Sequence, residues 1–210
     1  MGFSNRWRVA LAGVLLWASI STAQNAGARI TVLVNDSAGV ETSLLRQAEQ
    51  EAARLFGFAG IEIEWVNCPD RDECRSIPGP REFVLHIVPA GNSRGDFVFG
   101  VAFLGADGRG QYSDVFFDRV RLAQGDADVG RMLGAVSAHE LGHLLLGSNS
   151  HSRIGIMEAI WEKDSVWKVE RGMLLFTREQ GELMRKRLQM QLSGAAVRTG
   201  SASSLKRVDN

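Results

Sequence analysis

The sequence predicts an α/β (α+β) fold of one sheet packed with a few helices, and three observations lead there. Short β-branched and apolar runs bounded by turn residues recur through the first two thirds of the chain. Helical periodicity sets in after the first of these runs and again toward the end. The chain has 210 residues, 45% of them hydrophobic and 23% charged, which suits a single domain with its own core.

Arg6 and Arg8 precede an apolar run from Val9 to Ile20, and Ser21, Thr22 and Ala23 then form a small-residue cleavage pattern. Residues 1–23 therefore read as an export signal and residues 24–192 as the folded domain. A retained membrane anchor is the alternative, but the run is shorter than the ~20 residues that cross a bilayer. A secreted or periplasmic product with no stable membrane association is expected.

In order, "ARITVLVND" (28–36) reads as a buried strand. "VETSLLRQAEQEAARLFGFAG" follows as a helix with Leu44, Leu45, Ala48, Ala52 and Leu55 on one face, ended by Gly57 or Gly60. "IEIEWV", from Ile61, alternates like a half-buried strand. The loop "CPDRDEC" holds the only two cysteines, Cys68 and Cys74, which in an exported chain pair most simply as a disulfide. Metal ligation by that pair lacks a second cysteine pair or a nearby histidine to complete a set.

"EFVLHIVPA" makes a third strand ending at Pro89, and His86 within it alternates with Val84 and Val88 as a core or satisfied histidine. "FVFGVAFLGA" (97–106) and "QYSDVFFDRV" (111–120) are two more strands joined by "DGRG". That connection offers one carboxylate, Asp107, so it reads as a hairpin turn and not a calcium loop. A helix capped by Asp126 or Asp128 then leads into "VGRMLGAVSAHELGHLLL", from Val129 to Leu146. A loop from Gly147 holds Ile156 and Met157, and "FTREQGELMRKRLQMQL" closes the domain as a helix with Thr177 as cap and Glu179 in its first turn. The small, polar residues 193–210 suggest a disordered tail.

Acidic and basic residues balance at 24 each, and removing the two signal arginines leaves about −2 (0 minus 2). No basic field recruits nucleic acid.

Three of the four histidines lie within thirteen residues, "HELGHLLLGSNSH". His139 and His143 are four apart, so on a helix they share a face one turn apart, close enough to hold one ion. Glu140 lies roughly 100° further round, where it flanks a metal without being a ligand. This is the HExxH pattern, in which zinc acidifies a water and the glutamate serves as general base. The setting supports that reading: apart from Glu140, Arg131 is the only charged residue from Val129 to Leu146, so the helix is largely buried. Burying a carboxylate and two imidazoles is costly unless they are paired or metal-bound. Gly142, inside the motif, is expected to let another backbone approach.

Catalytic zinc usually has three protein ligands and an open position. Gly147 should stop the helix and "SNS" turn the chain back, which makes His151 the expected third ligand.

These residues resemble the metzincin clan of zinc peptidases, whose motif is HExxHxxGxxH followed by a methionine-bearing turn. His139, Glu140 and His143 match in register, and Met157 stands where the Met-turn would be. The "HS" before that methionine is similar to the matrix-metallopeptidase branch. The spacing departs from the clan, reading HExxHxxxGxxxH, so that Leu146 occupies the glycine register and Asn149 the third-ligand register. Either a longer loop still delivers His151, or a glutamate such as Glu158 or Glu162 replaces it.

The resemblance implies a metzincin-like fold with about five mixed strands, an N-terminal helix, the motif helix and a closing C-terminal helix. It also implies that "GVAFLGA" is the edge strand that pairs with bound peptide. The expected protein is a monomeric, secreted zinc endopeptidase with one catalytic Zn2+, held by His139, His143 and His151, and a peptide or protein substrate. The alternative is an exported, non-catalytic zinc-binding or interaction module.

Overall fold

The structure, a computed structural model, describes residues 28–68, 77–89, 98–124, 128–161 and 163–202. The expected export signal, Cys74, Asp126 and Glu162 lie outside these residues.

The elements run β1 (Ala28–Asp36), α1 (Thr42–Phe58), β2 (Ile61–Asn67), β3 (Glu82–Val88), β4 (Gly100–Phe103), β5 (Tyr112–Phe116), α2 (Phe117–Gln124), α3 (Val129–Leu146), α4 (Lys163–Glu170) and α5 (Arg178–Ala202). The strands form one mixed sheet in the order β2-β1-β3-β5-β4. All neighbours are parallel except β4, which pairs antiparallel with β5 from Gly100↔Val115 to Phe103↔Tyr112 and forms one edge. β1 is an interior strand, and its alternating Ile30, Val32 and Val34 are fully buried, as a strand between two parallel partners requires.

α1 turns Ala48, Ala52, Leu55 and Phe56 inward and packs along α3. α3 also meets the sheet, α2, α4 and α5, which is why its apolar residues are not confined to one stripe. α5 begins with a reciprocal cap: Thr177 Oγ1 accepts from the Gln180 N–H (3.3 Å), and Gln180 Oε1 accepts from the Thr177 N–H (2.8 Å).

Several expectations are corrected. The run 111–120 is not one strand, because β5 stops at Phe116 and α2 begins at once. Its neighbour β3 ends before Pro89, and the Asp118 N–H turns to the Pro89 carbonyl (2.8 Å) instead of extending the ladder. β4 is shorter than 97–106, since the chain leaves Phe103 into a turn closed by Gly105 N–H donating to the Arg109 carbonyl (2.8 Å). Asp107 accepts the Arg109 N–H within that turn (3.0 Å), the hairpin geometry expected.

Asp128 does not cap α3 through its side chain: it is left-handed (φ 48°), pairs with Arg131 (3.1 Å) and accepts from Gln47 Nε2 (2.7 Å). Of the two readings of His86, the satisfied one fits and the core one does not: it is half-exposed, with Nδ1 3.3 Å from Asp114 Oδ1 on the next strand. The helix at α4 was not anticipated. Helical backbone in α5 is described to Ala202, and residues 203–210 of the expected tail lie outside the described residues. No helix of the described residues is long and apolar enough to cross a membrane.

Candidate metal centre

α3 presents His139 and His143 one turn apart, both buried. The Nδ1–H of His139 donates to the Ile156 carbonyl (2.7 Å), and that of His143 donates to the Ser148 carbonyl (2.8 Å). A carbonyl oxygen only accepts, so each ring carries its proton on Nδ1 and turns a bare lone pair outward on Nε2. Those two Nε2 atoms are 3.1 Å apart. Two acceptors that close repel unless a cation lies between them. Two nitrogens bound tetrahedrally to one zinc at about 2.0–2.1 Å would be roughly 3.3 Å apart, so the pair fits a shared ion.

His151 completes the group. Gly147 takes the left-handed conformation (φ 65°), and its N–H donates back to the His143 carbonyl (2.9 Å), ending α3 where the sequence expected. Ser148 Oγ then accepts the Ser150 N–H (3.0 Å), and Ser152 N–H donates to the Met157 carbonyl (2.8 Å). The longer turn is thereby folded against the motif helix. The ring of His151 stacks on His139 (centroids 5.4 Å apart) and stands edge-on to His143 (4.9 Å). One ligand atom from each of the three lies within 4.8 Å of the others.

Glu140 points between α3 and the edge strand. A Cβ on Gly100 would sit 2.7 Å from both Cγ and Oε1 of Glu140 and equally close to the Asp114 carbonyl, so β4 can lie over the carboxylate only with glycine there. Burial, aided by the negative charge of Asp114, pushes the Glu140 carboxyl up to about 8. Burial also pushes His139 down to about 3, against the Ile156 hydrogen bond, and lowers His143. Both imidazoles are thus held neutral, the form that binds metal. A nearby divalent cation favours the ionised form of Glu140.

The three histidines and Glu140 open onto a cavity of about 250 Å³ between β4, α3 and the segment after Met157. Among solved structures, a zinc-dependent peptidase from Methanocorpusculum labreanum superposes with a TM-score of 0.50 at 16% identity, covering 74% of this chain and 99% of its own. The chain shares the fold of that peptidase. An archaemetzincin from Methanopyrus kandleri superposes with a TM-score of 0.49 at 18% identity, over 80% of this chain and 99% of its own. No protein-family model and no curated protein matches the sequence.

Within this fold Met157 is fully buried, and its sulfur would lie 2.7 Å from a Cβ on Gly142. Gly142 therefore makes room for the Met157 and Phe176 side chains, and not for a backbone as expected. Of the alternative ligands, Glu158 and Asn149 line the cavity, but neither belongs to the three-histidine group.

The sequence reading passed over Gly100 and Trp161. Trp161 is buried, edge-on to His139 (5.6 Å) and beside Phe99 (6.4 Å). A tryptophan shortly after the Met157 turn was a signal for a cavity wall. Nothing local marked Gly100, whose role depends on a helix forty residues away in sequence.

Proposed function

We propose that this chain is an exported zinc-dependent endopeptidase in which His139, His143 and His151 hold one zinc ion and Glu140 is the general base. The observation that carries this reading is the pair of Nε2 lone pairs 3.1 Å apart, with a third imidazole beside them and a carboxylate on the same cavity wall. The donor set suits zinc, which takes imidazole nitrogen readily and leaves one position open when three protein ligands are present.

When bound, the ion supplies Lewis acidity, acidifying water and polarising a carbonyl. The chain's own groups do the rest. An extended peptide adds as a strand along the free edge of β4, which places its backbone over Glu140. Glu140 takes a proton from the attacking water and returns it to the leaving amine. The Ile156 and Ser148 carbonyls hold the imidazole tautomers and ring angles that the metal needs. Met157, fully buried beside Gly142 of the motif helix, would supply the apolar floor of the site, the part the Met-turn plays in the resemblance.

Purified protein should contain about one zinc per chain, and Glu140→Gln should keep the metal while hydrolysis of unstructured peptides drops by at least about 10³-fold. Unchanged hydrolysis in that variant would overturn the assignment. Zinc retained with no hydrolysis by the wild type would select the non-catalytic module instead.

Export with cleavage after Ala23 and a Cys68–Cys74 disulfide belong to the same proposal. They are tested by the N-terminal sequence and the thiol count of the secreted product.

A further inference from the structure

We propose that Glu158 makes the cavity selective for a cationic side chain, lysine or arginine, next to the bond that is cut. This inference rests on the peptidase reading above and names its substrate class.

Glu158 lines the cavity of about 250 Å³ that holds the three histidines, yet the hydrolytic chemistry does not use it. It is half-buried, and one carboxylate oxygen accepts from the buried Ser165 hydroxyl (3.0 Å). Its backbone N–H is tied to the Gly155 carbonyl (3.1 Å), and it bridges to Ser152, so the carboxylate is fixed on the cavity wall. No lysine or arginine is among the described residues lining the cavity, and none of them pairs with Glu158.

A carboxylate partly removed from water is costly without a cation partner, and Glu158 has none among the described residues; a cation brought by a ligand removes that cost. Beside it, Trp161 and Phe99 form an apolar wall. Lysine and arginine match such a wall, burying an alkyl stem along apolar surface while the charged head reaches a carboxylate. The volume is below the range of drug-sized pockets and suits one long side chain.

The test compares peptides identical except for arginine, its neutral isostere citrulline or glutamate, placed in turn at each position flanking the cut, each made with both ends blocked and again with a free N-terminus. Hydrolysis is read on the wild type, Glu158→Gln and Glu158→Lys. Binding is read on zinc-loaded protein carrying Glu140→Gln, alone and combined with each Glu158 change.

At one position the arginine peptide should be favoured by roughly tenfold or more, in kcat/KM and in Kd. Glu158→Gln should bring that ratio close to one, and Glu158→Lys should shift preference to a glutamate peptide. A wild-type ratio near one, or a ratio that survives Glu158→Gln, overturns the inference. So does a preference seen only with a free N-terminus, which would assign the cation to the substrate's α-ammonium group. If no peptide is cut but the binding ratio behaves as expected, the peptidase reading fails, and what stands is that Glu158 makes the cavity selective for a cationic side chain.

Discussion

Two residues, Gly100 and Glu140, set how the edge strand meets the motif helix, and each gives a measurable consequence. Gly100→Ala would place a methyl group 2.7 Å from the Asp114 carbonyl and from Glu140. Because one of those neighbours is backbone, β4 has to shift. Stability should fall by about 1–3 kcal/mol, and hydrolysis on the order of 10²-fold through the displaced carboxylate. Chemical denaturation and kcat/KM measure the two effects separately, and intact hydrolysis with normal stability would refute the seating argument.

The buried carboxyl also makes a prediction about pH in the metal-free protein. Glu140 is raised to about 8 in the folded chain from the usual value of 4.5. Between those values the folded state binds more protons than the unfolded one, so its contribution to stability declines as pH rises. His139 acts oppositely, since its value of about 3 lies below the usual 6.5, and its contribution is lost as pH falls through that interval. With chelator present, the stability difference between wild type and Glu140→Gln should therefore shift against the wild type from pH ~4.5 to ~8. Denaturant midpoints across that range check it, and a flat difference would contradict the buried setting of Glu140.

Arg187 on α5 shows how separate elements are held around the centre. Its Nη2 donates to the Gly108 carbonyl of the β4–β5 turn (2.9 Å), and its guanidinium lies against Gly147, the cap of α3. One side chain thus fastens the turn that carries the edge strand to the start of the His151 loop. Arg187→Ala should cost about 1–3 kcal/mol of stability and weaken zinc binding roughly tenfold, as loss of supporting contacts around ligands does. Thermal melting and competitive zinc titration measure these, and unchanged zinc affinity would confine Arg187 to a purely structural role.

The elements readable from sequence were those whose pattern is local. β1, α1 and β2 carry unbroken patterns, α3 is a long run of apolar and small residues bearing the HExxH spacing, and each ends at glycine or a change of pattern. α2 was hidden because "VFFDRV" satisfies strand and helix patterns alike, and only the end of β3 at Pro89 breaks the tie. α4 is short, with Val169 its buried apolar residue, too little for a periodic signal.

For the molecule as a whole, the metal is predicted to be a stabilising component as well as a reagent. Binding only the folded chain, zinc at about 1,000 times its Kd should add about 4 kcal/mol. A chelator should lower the melting temperature, and restored zinc should return it. A melting curve indifferent to chelator would count against the centre. His151→Ala should show a smaller zinc-dependent rise than the wild type.

The sequence by itself determined the HExxH helix, the place where α3 stops and the α/β class. Each follows from residue type at fixed spacing, and helical and strand geometry convert spacing directly into position. It left open whether the longer "GSNSH" turn brings His151 to the other two histidines, and it could not find Gly100, Trp161 or the place of Glu158 on the cavity wall. These depend on contacts between segments distant in the chain. The turn is held by hydrogen bonds from His143 to Ser148 and from Ser152 to Met157, and Glu140 is seated by a strand forty residues earlier. Tertiary packing alone decides such pairings, because the free energy that selects them exists only once the sheet, α3 and α5 have closed on one another.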